Sequence, residues 1–133
     1  MLNNIFIKKI DFDGPDKGKE PYCNLTLFND KFYGMSWFGG VNDMGVIFEW
    51  DPISNIFTKK IDFDGITKGS YPRSSLTLQD GMMYGMTTSG GANECGVIFK
   101  WCPDNNAFTK LLDFNIENGS GPVYTYFTTY NIP

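Results

Sequence analysis

Gly45-Val46-Ile47-Phe48-Glu49-Trp50-Asp51-Pro52 returns as Gly96-Val97-Ile98-Phe99-Lys100-Trp101-Cys102-Pro103, 51 residues further on. Working outward, the register holds without insertion or deletion: Asp11 maps to Asp62, Pro21 to Pro72, Gly34 to Gly85 and Trp50 to Trp101. The chain is a tandem repeat, so its fold is a repeat fold. Its 133 residues hold two full repeats and part of a third. The repeat units run 1–55, 56–106 and 107–133, with each structural unit completed across a repeat boundary.

The quoted stretch is a strand. Val46, Phe48 and Trp50 fall on one face and Ile47 on the other, a pattern that suits a sheet covered on both sides. Upstream, Leu25-Thr26-Leu27 and Phe32-Tyr33-Gly34-Met35 read as two short strands. Asn29-Asp30 joins them in the first copy and Asp80-Gly81 in the second; Asp-Gly between apolar runs is a hairpin signal, because both turn positions need φ > 0. Downstream, Pro52 opens a turn. Alternation then places Phe57, Lys59, Ile61 and Phe63 on one face of a fourth strand and Thr58, Lys60 and Asp62 on the other. The same alternation in Ile5 to Phe12 predicts an equivalent strand there. Paired lysines suit an outer strand, where charge blocks edge-to-edge pairing. One repeat is therefore four antiparallel strands, and stacking sheet on sheet covers the two apolar faces, as in the blades of a β-propeller. The expected fold is all-β: tandem four-stranded blades of an incomplete kelch-like propeller.

The third unit keeps Phe108, Thr109, Lys110, Asp113 and Phe114 in register, then loses one residue before Gly119-Ser120-Gly121-Pro122. Val123 to Thr128 has strand composition but no visible kinship with the earlier copies. Because the chain begins and ends inside units, sheet faces are expected to stand open. Their apolar side chains each forgo about 1.5–3 kcal/mol of burial, which predicts self-association, aggregation or marginal stability.

Composition narrows the function classes. The net charge is −4, and no Lys/Arg run offers a footprint for nucleic acid or an anionic membrane. Apolar runs are too short to span a bilayer. Ile5-Phe6-Ile7 precedes Lys8-Lys9, an order opposite to that of a signal peptide. Histidine is absent, which removes the commonest general base and zinc ligand. Cys23, Cys95 and Cys102 sit at non-equivalent repeat positions, which reads as three free thiols.

Two resemblances attach to these motifs. A Tyr-Gly strand, a Gly-Gly doublet, an aromatic strand ending in Asp-Pro and a Phe-Thr strand resemble the order in kelch blades at a similar period. Tyr33-Gly34-Met35-Ser36, Gly39-Gly40, Gly45-Val46-Ile47-Phe48 and Asp62-Phe63 resemble more closely the GloVer-type tandem extracellular repeat. Its second copy supplies Tyr84-Gly85-Met86-Thr87, Gly90-Gly91, Gly96-Val97-Ile98-Phe99 and Asp113-Phe114. That resemblance implies a bacterial secreted or cell-surface protein built of long repeat arrays, and it brings no catalytic residues.

Candidate sites come from what the copies do not share. Trp37-Phe38 faces Thr88-Ser89 in the second copy, so the pair is free of the common structural constraint. With Tyr22 it forms the candidate ligand-binding set, where aromatic rings stack on a sugar or anchor a peptide; packing between blades is the alternative. Asp11, Asp13 and Asp16 around Gly14 weakly resemble a calcium loop, with turn-forming Asp and Gly as the plainer reading. Trp50 and Trp101 read as core. No catalytic residue, resident metal or cofactor is expected. The function expected is a non-enzymatic surface scaffold or binding module for carbohydrate or protein. The alternative is part of a propeller glycan hydrolase or lyase whose active site lies outside this chain, and carboxylates converging at one end of the blades would favour it.

Overall fold

The computed structural model describes residues 4–123 and Phe127. It contains eight strands and, among the described residues, no helix: β1 (Thr26–Phe28), β2 (Lys31–Ser36), β3 (Val46–Trp50), β4 (Phe57–Asp62), β5 (Thr77–Gln79), β6 (Met82–Met86), β7 (Val97–Trp101) and β8 (Phe108–Asp113). They form two antiparallel four-stranded sheets of order β1-β2-β3-β4 and β5-β6-β7-β8, stacked as propeller-like blades that do not close. Each sheet crosses a repeat boundary, because the outer strand follows the turn after β3 or β7.

The hairpin turns follow their chemistry. Asn29 and Asp30 have φ of 50° and 61°, and Asp80 and Gly81 have 52° and 77°, the left-handed pair that a two-residue β-turn requires. Gly34 and Gly85 serve a different need. Gly34 lies across from Phe48, and Gly85 across from Phe99. A Cβ on Gly34 would stand 2.7 Å from Phe48 Cζ, and one on Gly85 2.5 Å from Phe99 Cζ, so the phenyl rings lie where those side chains would be.

The outer strand departs from simple alternation. Ile47 pairs with Ile61 and Phe48 with Lys59, leaving Lys60 as the extra residue of a bulge; the second sheet repeats this at Leu111. A bulge moves the strand on by one residue and exchanges its faces. Phe57 and Lys59 therefore share a face with Phe48, whereas Ile61 joins Ile47 on the opposite face. This corrects the expectation that Phe57, Lys59 and Ile61 lie together.

The core lies between the sheets. The back of the first sheet gives Tyr33, Met35, Ile47 and Ile61; the front of the second gives Met83, Val97, Phe99 and Trp101, with Phe63 and Leu76 from the linking segment. Phe63 meets Phe99 and Phe108 edge-on, and its counterpart Phe12 does the same to Phe48 and Phe57. Asn106 ties the sheets together at the turn end. Its Oδ1 accepts from buried Trp101 Nε1 at 2.8 Å, and its Nδ2 donates to the bulge carbonyl of Lys60 at 2.9 Å. Asn55 makes the same pair of bonds with Trp50 and the carbonyl of Lys9.

Ile5 to Phe12 is not a strand. It lies where β4 lies relative to the next sheet, as the Lys9 contact shows, but among the described residues it pairs with no strand equivalent to β3. With no ladder to join, the segment runs extended beside the first sheet, and Ile5, Phe6 and Ile7 are exposed. The expected strand at Val123 to Thr128 lies outside the described residues except at its first residue and Phe127. Thr77 Oγ1 donates to the carbonyl of Phe127, as Thr26 Oγ1 does to that of Leu76. Phe127 thus takes the place of Leu76, a kinship the sequence did not display. All three cysteines are free and half-buried.

Candidate functional site

Trp37 and Phe38 leave β2 and are fixed by short pairing with an earlier segment. Trp37 N donates to the carbonyl of Glu20 at 3.0 Å, and Lys19 and Phe38 exchange bonds of 3.0 and 3.2 Å. Tyr22 follows on that segment. The corresponding segment of the second repeat is held against the first sheet by Tyr71 N, which donates to the carbonyl of Met44 at 2.9 Å. Tyr71 and Arg73 thereby reach the same place from the neighbouring repeat.

The result is an aromatic and cationic ledge at the junction of the two repeats. Tyr22 meets Trp37 edge-on at 5.3 Å between ring centroids, Trp37 lies 4.2 Å from Phe38, and Phe38 lies 5.3 Å from Tyr71. The Arg73 guanidinium sits 4.3 Å from the Trp37 ring centroid and 5.0 Å from that of Tyr22, and Lys19 Nζ lies 5.8 Å from Phe38. Each such cation–ring contact contributes about 0.5–1 kcal/mol at a partly exposed site. Tyr22 is 45% exposed; Trp37, Phe38, Tyr71 and Arg73 are half-buried. The three aromatic residues singled out in the sequence are therefore brought together. They pack at an inter-sheet junction and remain partly exposed.

Sequence reasoning missed Arg73 and Tyr71. The signal was available: Tyr22 faces Arg73 between copies, and Glu20 faces Tyr71, the same kind of departure that marked Trp37. In the second copy the ledge is replaced by hydroxyls, with Thr88 Oγ1 donating to the carbonyl of Tyr71 at 2.7 Å.

The carboxylates do something else. Asp13 Oδ1 accepts from Lys17 N at 2.8 Å and from Asp16 N at 3.2 Å; the first of these bonds is the main reason that its carboxyl is held below the usual aspartate range. Asp64 accepts likewise from Thr67 and Lys68, and Asn115 from Glu117 and Asn118, so the position makes a turn in all three units. Asp11 pairs with Lys8 at 2.9 Å. Asp11, Asp13 and Asp16 are not brought together around one point, and among the described residues no group of three or more acidic, cysteine or histidine side chains could hold a metal ion.

A second charged cluster lies at the back of the first sheet. Glu49 accepts from Tyr33 Oη at 2.9 Å and pairs with Lys31 at 3.1 Å. Burial raises the Glu49 carboxyl, but Lys31 and Tyr33 outweigh it and leave the group below its ordinary value. Burial and the Glu49 carboxylate push the Tyr33 phenol up. These groups satisfy one another, which is the condition for a polar network at a packed interface.

No helix among the described residues is long and apolar enough to cross a membrane. The chain matches the family described as the Gloeobacter/Verrucomicrobia repeat over residues 4–131, and it belongs to that family. No curated protein matches it significantly.

Proposed function

We propose that this member of the Gloeobacter/Verrucomicrobia repeat family is a non-enzymatic scaffold of kelch-like blades that holds a carbohydrate on the Tyr22, Trp37, Phe38 and Arg73 ledge. One observation carries the reading. The rings are drawn together at a junction of repeats, stay partly exposed, and have no counterpart in the second copy, so repeat architecture does not account for them. Aromatic faces suit the C–H face of a sugar, and the adjacent cations suit its hydroxyls or a carboxylate. The charged groups at the sheet ends support a scaffold over a hydrolase or lyase: Asp43, Asp51, Asp62 and Asp113 each accept a backbone N–H. A secreted or cell-surface setting belongs to the proposal and rests on the resemblance to extracellular arrays; protease shaving of intact cells checks it.

The test of the ligand is a glycan array read with the wild type and with Trp37→Ala. Loss of one anchoring ring, about 1–2 kcal/mol, should weaken binding roughly five- to thirtyfold. Failure of the wild type to bind any glycan, or equal binding by the variant, refutes the carbohydrate reading. Binding of a peptide instead, lost in Trp37→Ala, would move the ledge to a protein ligand.

A further inference from the structure

The internal joint between the sheets shows what each sheet face is shaped to meet. Leu76 is 3% exposed because the back of the first sheet covers it, whereas its counterpart Leu25 is 50% exposed. Trp101 is fully buried; Trp50 is only half-buried. On the other side, Ile61 is 8% exposed in the joint and its counterpart Leu112 39%. The front of the first sheet bears an open groove of about 440 Å³, lined by Leu25, Phe48, Trp50 and Phe57 and by residues 6–10 and Phe12. In the internal joint the equivalent space holds Tyr33, Met35 and Ile47 of the preceding sheet.

The chain therefore presents the two halves of one joint on opposite sides. We propose that a second copy of this chain completes it head to tail, with the back of its β5–β8 sheet seated on the front of the β1–β4 sheet. The linking segments fit this exchange. Residues 12–25 keep the bonds that a linker makes to the sheet after it, through Lys19–Phe38, Glu20–Trp37 and Gly14–Gly40. Residues 114–121 keep those to the sheet before it, from Phe114 N to the carbonyl of Gly96 and from Gly121 N to that of Cys95. On docking, residues 12–25 of one copy take over the bonds of 114–121 in the other, and that segment gives way. Residues 5–11, which have no ladder, yield to β8 of the second copy, and Asn55 exchanges the carbonyl of Lys9 for that of Leu111. A front-to-back contact uses different surfaces on the two molecules and so can propagate.

Sedimentation velocity over a wide concentration range tests it on the full chain. Wild-type mass should rise with concentration. Leu25→Asp, which breaks the front, and Leu112→Asp, which breaks the back, should each be monomeric, and their mixture should form a one-to-one dimer that grows no further. Both positions are partly exposed, and circular dichroism confirms folding; should either variant misfold, the Leu25→Ser and Leu112→Ser pair replaces it. A wild type that stays monomeric overturns the proposal. So does a mixture of folded variants that stays monomeric, or a single variant that still self-associates, since that would mean a front-to-front or back-to-back contact.

Discussion

Asn106→Gly isolates the clamp between the sheets. Asn106 has φ of 62°, which glycine adopts without strain, so the substitution keeps the turn and removes only the side chain. Two bonds are lost. The carbonyl of Lys60 lies at an exposed site and finds water. Trp101 Nε1 does not, because Trp101 is 0% exposed. A buried donor left without an acceptor costs about 1–3 kcal/mol, so the variant should lose about 2 kcal/mol. For a domain of this size that lowers Tm by roughly 6–10 °C.

Asn55→Gly is the built-in comparison. It removes the same two bonds around Trp50, which is half-buried and whose bond to Asn55 is exposed, so the loss should stay below about 1 kcal/mol. Urea unfolding with an unchanged m-value reads both. Trp101→Phe in each background closes a double-mutant cycle in which the volume change cancels. Equal losses for the two asparagines, or no coupling between Asn106 and Trp101, would refute the argument that the clamp matters through burial of the indole donor.

Gly85→Ala drives a Cβ against Phe99, whose ring is closed in by the core, and should cost about 1–3 kcal/mol by urea unfolding; Gly34→Ala should cost less, because Phe48 borders the open groove and its ring can shift. Equal losses would count against that. The Asp113 carboxyl is held below its ordinary value by the Ala92 N–H, against burial and aided by Lys110. A lowered folded pKa gives stability that is present above the unfolded value of about 4 and is lost as pH falls through the folded value. The gap in urea midpoint between the wild type and Asp113→Asn should therefore narrow below about pH 4, and a gap unchanged from neutral to acid pH would refute this origin.

The fold was legible because the copies agree. Val46–Trp50 and Val97–Trp101 are strands with the bounds read from the repeated motif, and the Asn-Asp and Asp-Gly turns have the backbone those pairs demand. What misled was a property that alternation cannot carry. A bulge at Lys60 leaves no mark in a period-two pattern, yet it exchanges the faces of everything after it. The expected strand at Ile5 to Phe12 failed for another reason. Its sequence has strand character, but a strand is a relation between two segments, and among the described residues none pairs with it. Phe127 was missed because the spacing drops to 50 at Pro122 and returns to 51 at Phe127, which breaks the visible register; a hydrogen bond from Thr77 restores it.

The site was half legible, and the half that was missing follows from geometry. Comparing copies separated what the repeat needs from what one copy has added, and that located Tyr22, Trp37 and Phe38. It did not say that residues 51 apart stand side by side, so Arg73 was not joined to Tyr22, its own counterpart. In a stacked repeat, equivalent positions of neighbouring units are spatial neighbours. A difference between copies therefore has two meanings at once: a departure from the pattern, and a contact between two unlike residues at one junction. Tyr22 beside Arg73 is both, for the guanidinium lies 5.0 Å from the ring because the sequence placed them one repeat apart. The same logic holds at the back of the first sheet, where the carboxylate of Glu49 faces Lys100 in the alignment and supports its network only in the first copy. Each junction in such a chain is thus chemically individual although the backbone is the same, which is what lets one blade pair carry a ledge that its neighbour lacks.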